Sequence, residues 1–217
     1  GGVARSREGH AGVGDGGDRA DGTARRPRLV TVGVLALQGD FAAHARALAR
    51  VGVATSFVRK PADFVGIDAL VLPGGESTAM LKGLERNALA TPLRDFLAAR
   101  RPVLGTCAGV ILLARTVTNP PQRSFDALDI DVERNAYGTQ LDSFSAVTDD
   151  GGAFAALPTV FIRAPRISRV GAGVEVLARV DGDPVLVRDG SVWGATFHPE
   201  LGGDDRVHRA WSSLRQM

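Results

Sequence analysis

Residues 29–37 form a nearly unbroken apolar run, the pattern of a strand buried on both faces. Asp40 then predicts the N-cap of a helix reaching about Val51, with Phe41, Ala45, Leu48 and Ala49 on its packed side and Gly52 at its end. Further β-rich runs at 53–58 and 69–72 are each followed by a helical segment. A short strand at 102–105 leads through Cys107 into a helix over 108–115. This alternation predicts an α/β fold, a doubly wound and mainly parallel sheet flanked by helices. Gly39, Gly74-Gly75 and Gly105 all follow expected strands, so their loops open on the carboxyl edge of the sheet, where such folds bind ligands.

The second half has another rhythm. Short strand patterns at 127–132, 144–148, 159–162, 174–180, 185–188 and 191–196 are separated by turn residues, with Asp181-Gly182 and Asp189-Gly190 as hairpin signals. They predict an antiparallel excursion that returns to the sheet edge at His198, followed by a final helix over 204–215.

Composition divides the chain in two. Residues 1–28 are rich in Gly, Arg and Asp and nearly lack large apolar side chains, so they are expected to be a disordered extension; residues 29–217 form one domain. The extension carries six arginines and four acids, and the remaining 20 basic and 20 acidic residues balance, so the domain shows no basic nucleic-acid surface. No apolar run approaches the ~20 residues of a membrane-spanning helix. One cysteine excludes an intrachain disulfide and a multi-cysteine metal site, and no metal is expected; a soluble, reducing, cytoplasmic setting follows.

That cysteine lies in Gly105-Thr106-Cys107-Ala108-Gly109, between strand and helix, as in a nucleophile elbow. The glycines suit a turn too tight for Cβ atoms on both sides. The helix start favours thiolate and offers N–H groups to an oxyanion. His198-Pro199-Glu200 supplies a base and an acid two residues apart, which in extended chain point the same way. Together Cys107, His198 and Glu200 make the parts of a nucleophilic triad. His10 falls in the extension, whereas His44 and His208, on expected helices without a matching acid, read as surface or packing residues. Leu72-Pro73-Gly74-Gly75-Glu76-Ser77-Thr78 joins a strand to a helix with Ser77 as a possible N-cap; the lysine-bearing pattern of a phosphate loop is absent.

Six motifs in order carry a resemblance: Leu37-Gln38-Gly39, Pro73-Gly74-Gly75-Glu76-Ser77-Thr78, Gly105-Thr106-Cys107-Ala108-Gly109, Val132-Glu133-Arg134-Asn135, Phe161-Ile162-Arg163-Ala164-Pro165 and Phe197-His198-Pro199-Glu200-Leu201. From about Val30 onward the chain resembles the glutaminase subunits of the deoxyxylulose-independent pyridoxal 5′-phosphate synthase, which are class I glutamine amidotransferases. The resemblance implies that Cys107 attacks the carboxamide of L-glutamine to give a γ-glutamyl thioester and ammonia, with His198 as base and acid and Glu200 orienting it. It implies glutamine contacts at Gly75, Glu76, Ser77, Arg134, Ile162 and Arg163, and no cofactor. A backbone flip near the Gly-Gly pair would complete the oxyanion hole when a pyridoxal 5′-phosphate synthase subunit docks and receives the ammonia. Thr139, where a basic residue is common, and the irregular stretch 119–126 depart from the family pattern. The alternatives are a glutaminase subunit serving another pathway, a γ-glutamyl hydrolase, and a catalytically silent regulatory subunit.

Overall fold

A computed structural model of the chain describes residues 1–2, 30–136, 143–149 and 151–213. Residues 3–28 of the expected extension, Thr139 and the expected end of the last helix lie outside the described residues.

The first half follows the predicted alternation: β1 (Thr31–Leu35), α1 (Phe41–Arg50), β2 (Ala54–Val58), β3 (Ala69–Leu72), α2 (Ser77–Arg86), α3 (Ala90–Ala98), β4 (Val103–Thr106) and α4 (Ala108–Leu113). The segment after β2 is only a 3-10 turn, Pro61–Phe64. The second half comprises β5 (Ala114–Thr118), β6 (Leu128–Glu133), β7 (Ser143–Val147), β8 (Pro158–Ile162), β9 (Arg166–Val170), β10 (Glu175–Val180), β11 (Asp183–Asp189), β12 (Val192–Ala195) and α5 (Arg206–Ser213).

A seven-stranded sheet in the order β10-β11-β12-β4-β3-β1-β2 forms the frame, with β2, β1, β3, β4 and β12 parallel and the β10–β11–β12 margin antiparallel. The unbroken apolar runs are explained by its two covered faces. In β3, Leu70 and Leu72 enter one core with Met80, Leu84 and Leu93, while Ala69 and Val71 enter the other with Leu48, Val207 and Trp211. A strand with period-two side chains and two dry faces has no polar positions to spare. Among the described residues, no helix is long and apolar enough to cross a membrane.

The excursion is more elaborate than expected. β5, β6 and β9 make a separate three-stranded sheet whose β5–β6 pair is parallel, and β7 with β8 makes an antiparallel pair. The helix expected through Arg115 stops at Leu113. Ala114 is already extended, and Thr116-Val117-Thr118 continues as ladder to β6 because β-branched side chains suit a strand. β12 then returns to lie between β11 and β4, which puts His198 at the same carboxyl edge as Gly39, Gly74 and Cys107.

Candidate active site

Cys107 sits between β4 and α4 with φ 48° and ψ −106°, backbone angles that a residue with a side chain rarely adopts. Its N–H is tied to Ala195 O at 2.8 Å, and its carbonyl accepts from Val110 N at 3.1 Å to begin α4. The flanking glycines make this turn possible. A Cβ on Gly105 would lie 2.8 Å from Gly109 C and O, and a Cβ on Gly109 would overlap Leu72 O of β3.

His198 follows β12, with its N–H held by Val160 O at 2.8 Å. Its Nδ1 is 2.7 Å from Glu200 Oε1, so the expected His–Glu pairing is present. The backbone differs from the extended segment read from Pro199: the chain turns at 198–201, with Leu201 N bonded to His198 O at 3.2 Å. Burial opposes a charged His198, but the Cys107 sulfur and the Glu200 carboxylate outweigh it and push its pKa up to about 10. Burial likewise opposes ionisation of Glu200, yet His44 and His198 bring its carboxyl below the ordinary value.

The Gly74-Gly75 loop is wedged between two of the other motifs. A Cβ on Gly74 would overlap His198 Cε1, and one on Gly39 would overlap Gly74 O. Gln38 Nε2 donates to Glu76 O across the same junction. The motifs at 37–39, 73–78 and 197–201 therefore form one packed unit.

Beside this unit lies a pocket of about 370 Å³, lined by Cys107 and His198 and by all six residues expected to contact glutamine: Gly75, Glu76, Ser77, Arg134, Ile162 and Arg163. Cys107 Sγ is 3.7 Å from Ile162 O. Glu200 stands behind His198 rather than on the pocket wall.

The polar residues divide by what they already hold. Glu76, not Ser77, caps α2, accepting from Thr78 N at 2.9 Å and Ala79 N at 2.6 Å. Partial burial works against its ionisation, but these N–H groups, the Thr78 hydroxyl and Arg134 hold its carboxyl below the usual range. Ser77 Oγ instead donates to Gln122 Oε1 at 2.9 Å, and Thr78 Oγ1 reaches the same oxygen at 3.2 Å. The irregular 119–126 stretch is thereby fastened to the candidate substrate loop. Arg134 Nη2 lies 3.3 Å from Glu76 Oε1 and 3.2 Å from Thr78 Oγ1, whereas Arg163 is exposed at the pocket with a φ of 44°.

Two histidines read as surface or packing residues are buried behind the site. His44 Nε2 is 3.1 Å from Thr106 Oγ1 and 3.2 Å from Glu200 Oε2, and His44 Nδ1 is 3.1 Å from His208 Nε2. The acid partner sought on the helices is Glu200 itself, which no local spacing connects to residue 44. The packed face of α1 is Ala43, His44, Ala47 and Leu48, and Ala49 is exposed; the small alanines let the imidazole in. Among the described residues, no group of three or more His, Cys, Asp or Glu side chains is arranged to hold a metal ion.

Residues 34–214 match the SNO glutamine amidotransferase family. The chain is 53% identical over 183 residues to the pyridoxal 5′-phosphate synthase subunit PdxT of Koribacter versatilis, an alignment covering 84% of this chain and 94% of that one. It is 48% identical over 190 residues to the subunit of the same name from Deinococcus radiodurans, covering 85% and 97%. A crystal structure of a glutamine amidotransferase superposes with a TM-score of 0.79 at 44% identity, over 86% of this chain and 99% of that one. A chain from the structure of PurLQS of Thermotoga maritima, 16% identical with a TM-score of 0.63 over 86% of this chain and 98% of its own, shares the fold. The elbow cysteine, the His–Glu pair and the glycine loop thus stand in a frame that relatives match over most of the sequence, and the chain belongs to the SNO glutamine amidotransferase family.

Proposed function

We propose that this protein hydrolyses L-glutamine to L-glutamate and ammonia and delivers the ammonia to a synthase subunit that makes pyridoxal 5′-phosphate. The observation that carries the reading is the convergence of Cys107, His198 and the 75–77, 134 and 162–163 residues on one pocket at the carboxyl edge. Family membership and the names of the PdxT relatives point to the same reaction and the same partner.

The chemistry follows from the groups present. The Cys107 sulfur attacks the side-chain carboxamide carbon of glutamine while His198 holds the proton as an imidazolium paired with Glu200. The high proton affinity of His198 suits that state. N–H groups at the start of α4 receive the oxyanion. His198 then passes its proton to the departing nitrogen; the C–N bond breaks, ammonia leaves, and a γ-glutamyl thioester remains. Water, deprotonated by His198, attacks the thioester; the C–S bond breaks, glutamate leaves, and Cys107 regains its proton. Arg163, exposed at the pocket, is suited to the α-carboxylate of the substrate, with Arg134 and the Glu76 carboxylate also lining it. The reaction suits a cytoplasmic setting, whose reducing poise keeps the thiol free.

The test is release of glutamate and ammonia from glutamine with and without a purified pyridoxal 5′-phosphate synthase subunit. Hydrolysis that this subunit stimulates and that Cys107→Ala abolishes is the expected result. Full stimulated activity in Cys107→Ala would overturn the mechanism, and stimulation only by a different amidotransferase partner would reassign the pathway.

A further inference from the structure

Behind Glu200 the polar contacts continue into the interior. The carboxylate faces His198 through Oε1, and its Oε2 has no hydrogen-bond partner among the described residues. The imidazole of His44 stands against that oxygen at 3.2 Å and against Thr106 Oγ1, one residue before the nucleophile, at 3.1 Å. On its far side, His44 Nδ1 meets His208 Nε2 from α5 at 3.1 Å. Both imidazoles are fully buried.

Chemistry sets the direction of the protons. A carboxylate oxygen accepts only, and a bare Nε2 lone pair 3.2 Å away would repel it, which favours the His44 tautomer with its hydrogen on Nε2. A neutral His44 then has a bare Nδ1, which requires His208 to donate from its own Nε2. His208 Nδ1 is then also bare, in keeping with its lack of a hydrogen-bond partner among the described residues. Three groups on α5, α1 and the loop after β12 thus align two N–H dipoles toward one buried charge.

We propose that His44 is a positioning residue: its Nε2–H, bonded to Thr106 Oγ1, keeps the positive edge of the ring 3.2 Å from Glu200 Oε2 and so holds the carboxylate with Oε1 on His198, and His208 fixes the tautomer of His44. The inference rests on the reading of Cys107, His198 and Glu200 as the hydrolytic site. Neutrality of the pair matters to the device. A charged His44 would compete with His198 for the Glu200 charge, whereas a neutral one stabilises the carboxylate and leaves that charge to the imidazolium. Burial supplies the neutrality, lowering the pKa of His44 despite Glu200 and Asp40 and holding His208 down at about 3. The other charged groups acting on the pair are His198 on His44, and Asp205 and Arg50 on His208. The residues of β1 and β2, against which α1 packs, carry no charge. The backbone N–H of Glu200 also faces its own carboxylate.

Two kinds of experiment test this on the full chain. Long-range 1H–15N NMR of the wild type at pH 7 should find His44 and His208 neutral with hydrogen on Nε2. An imidazolium, or an Nδ1–H tautomer at His44, would overturn the proposal without any variant. In glutamine hydrolysis with the synthase subunit present, His44→Leu should lose roughly tenfold or more in kcat with little change in KM, the scale on which a small misplacement of a reacting group acts. Its acid limb should move to higher pH, because Glu200 loses a neighbouring dipole that favours its ionised form. His44→Gln, whose amide places an N–H near the position of Nε2, should recover most of the rate and return the limb. Equal losses in both variants with an unmoved limb would reduce His44 to packing. Should His44→Leu fail to fold, His44→Gln and the NMR tautomers still decide. If wild type with its partner shows no hydrolysis, or Cys107→Ala retains it, the hydrolytic reading fails instead, and the tautomer result stands apart from that failure.

Discussion

A buried imidazole that stays neutral makes stability depend on acid. In the unfolded chain His208 titrates near 6.5, whereas in the folded protein burial, and then His44, bring it to about 3. Between those values the unfolded state binds a proton that the native state refuses, so stability falls as pH drops below about 6.5. The slope from one such group approaches about 1.4 kcal/mol per pH unit, and His44, shifted in the same direction, adds to it. Denaturant midpoints measured at pH 7 and pH 5 should therefore separate for the wild type and draw together in His208→Gln, which cannot titrate. Parallel behaviour of the two proteins would refute the buried neutral pair. The contrast with Glu200 shows why some site residues are legible in sequence. His198 and Glu200 are two positions apart, and a turn or a strand can each bring them together. His44 and His208 are 164 positions apart, and only the packing of α1 on α5 brings them together.

At the scale of elements, two glycines that look alike in sequence do different things. Gly74 lies where a Cβ would strike the side chain of His198, and Gly109 lies where a Cβ would strike the backbone of β3. An imidazole can rotate away; a strand carbonyl cannot. Gly74→Ala should then leave the fold nearly as stable but cut kcat by roughly tenfold or more, since a displacement of about 1 Å at the catalytic ring is enough for that. Gly109→Ala should separate α4 from β3 and cost about 1–3 kcal/mol or more of stability, as overpacking does. Thermal melts and glutamine turnover on both variants distinguish these outcomes; a fully active Gly74→Ala would show that the loop does not confine His198. The same distinction between local and distant causes governs what the pattern of the chain reveals. The strand-helix alternation through α4 was readable because both sheet faces are dry. β9 was not, because Arg166-Ile167-Ser168-Arg169-Val170 buries only Ile167 and pairs with β6 at the protein surface. β5 was hidden by its continuity with the apolar helix before it. The capping role of Glu76 was masked by Ser77, a common N-cap residue one position later.

For the whole molecule, the pocket belongs to no single element. Its walls come from the loops after β1, β3, β4, β6, β8 and β12, brought to one edge by strands that span the chain from Thr31 to Ala195. Among these walls Arg163 is an exposed cation, and the Gly74-Gly75 segment touches both the Gly39 loop and His198. A ligand that bridges these loops binds only when all of them are in place, so its binding free energy adds to the stability of the entire domain. On the proposed mechanism Cys107→Ala removes turnover and leaves the rest of the pocket, which allows glutamine itself to be used. At a free concentration of 100 times its Kd, glutamine should stabilise this variant by about 2.7 kcal/mol. For a domain of this size that corresponds to a rise in Tm of roughly 5–10 °C. Removing Arg163 as well, in Cys107→Ala/Arg163→Gln, should require a higher glutamine concentration for the same rise, because the guanidinium proposed to grip the α-carboxylate is lost. A glutamine-dependent shift that ignores Arg163 would take the carboxylate away from that residue, and no shift at any concentration would take glutamine away from the pocket.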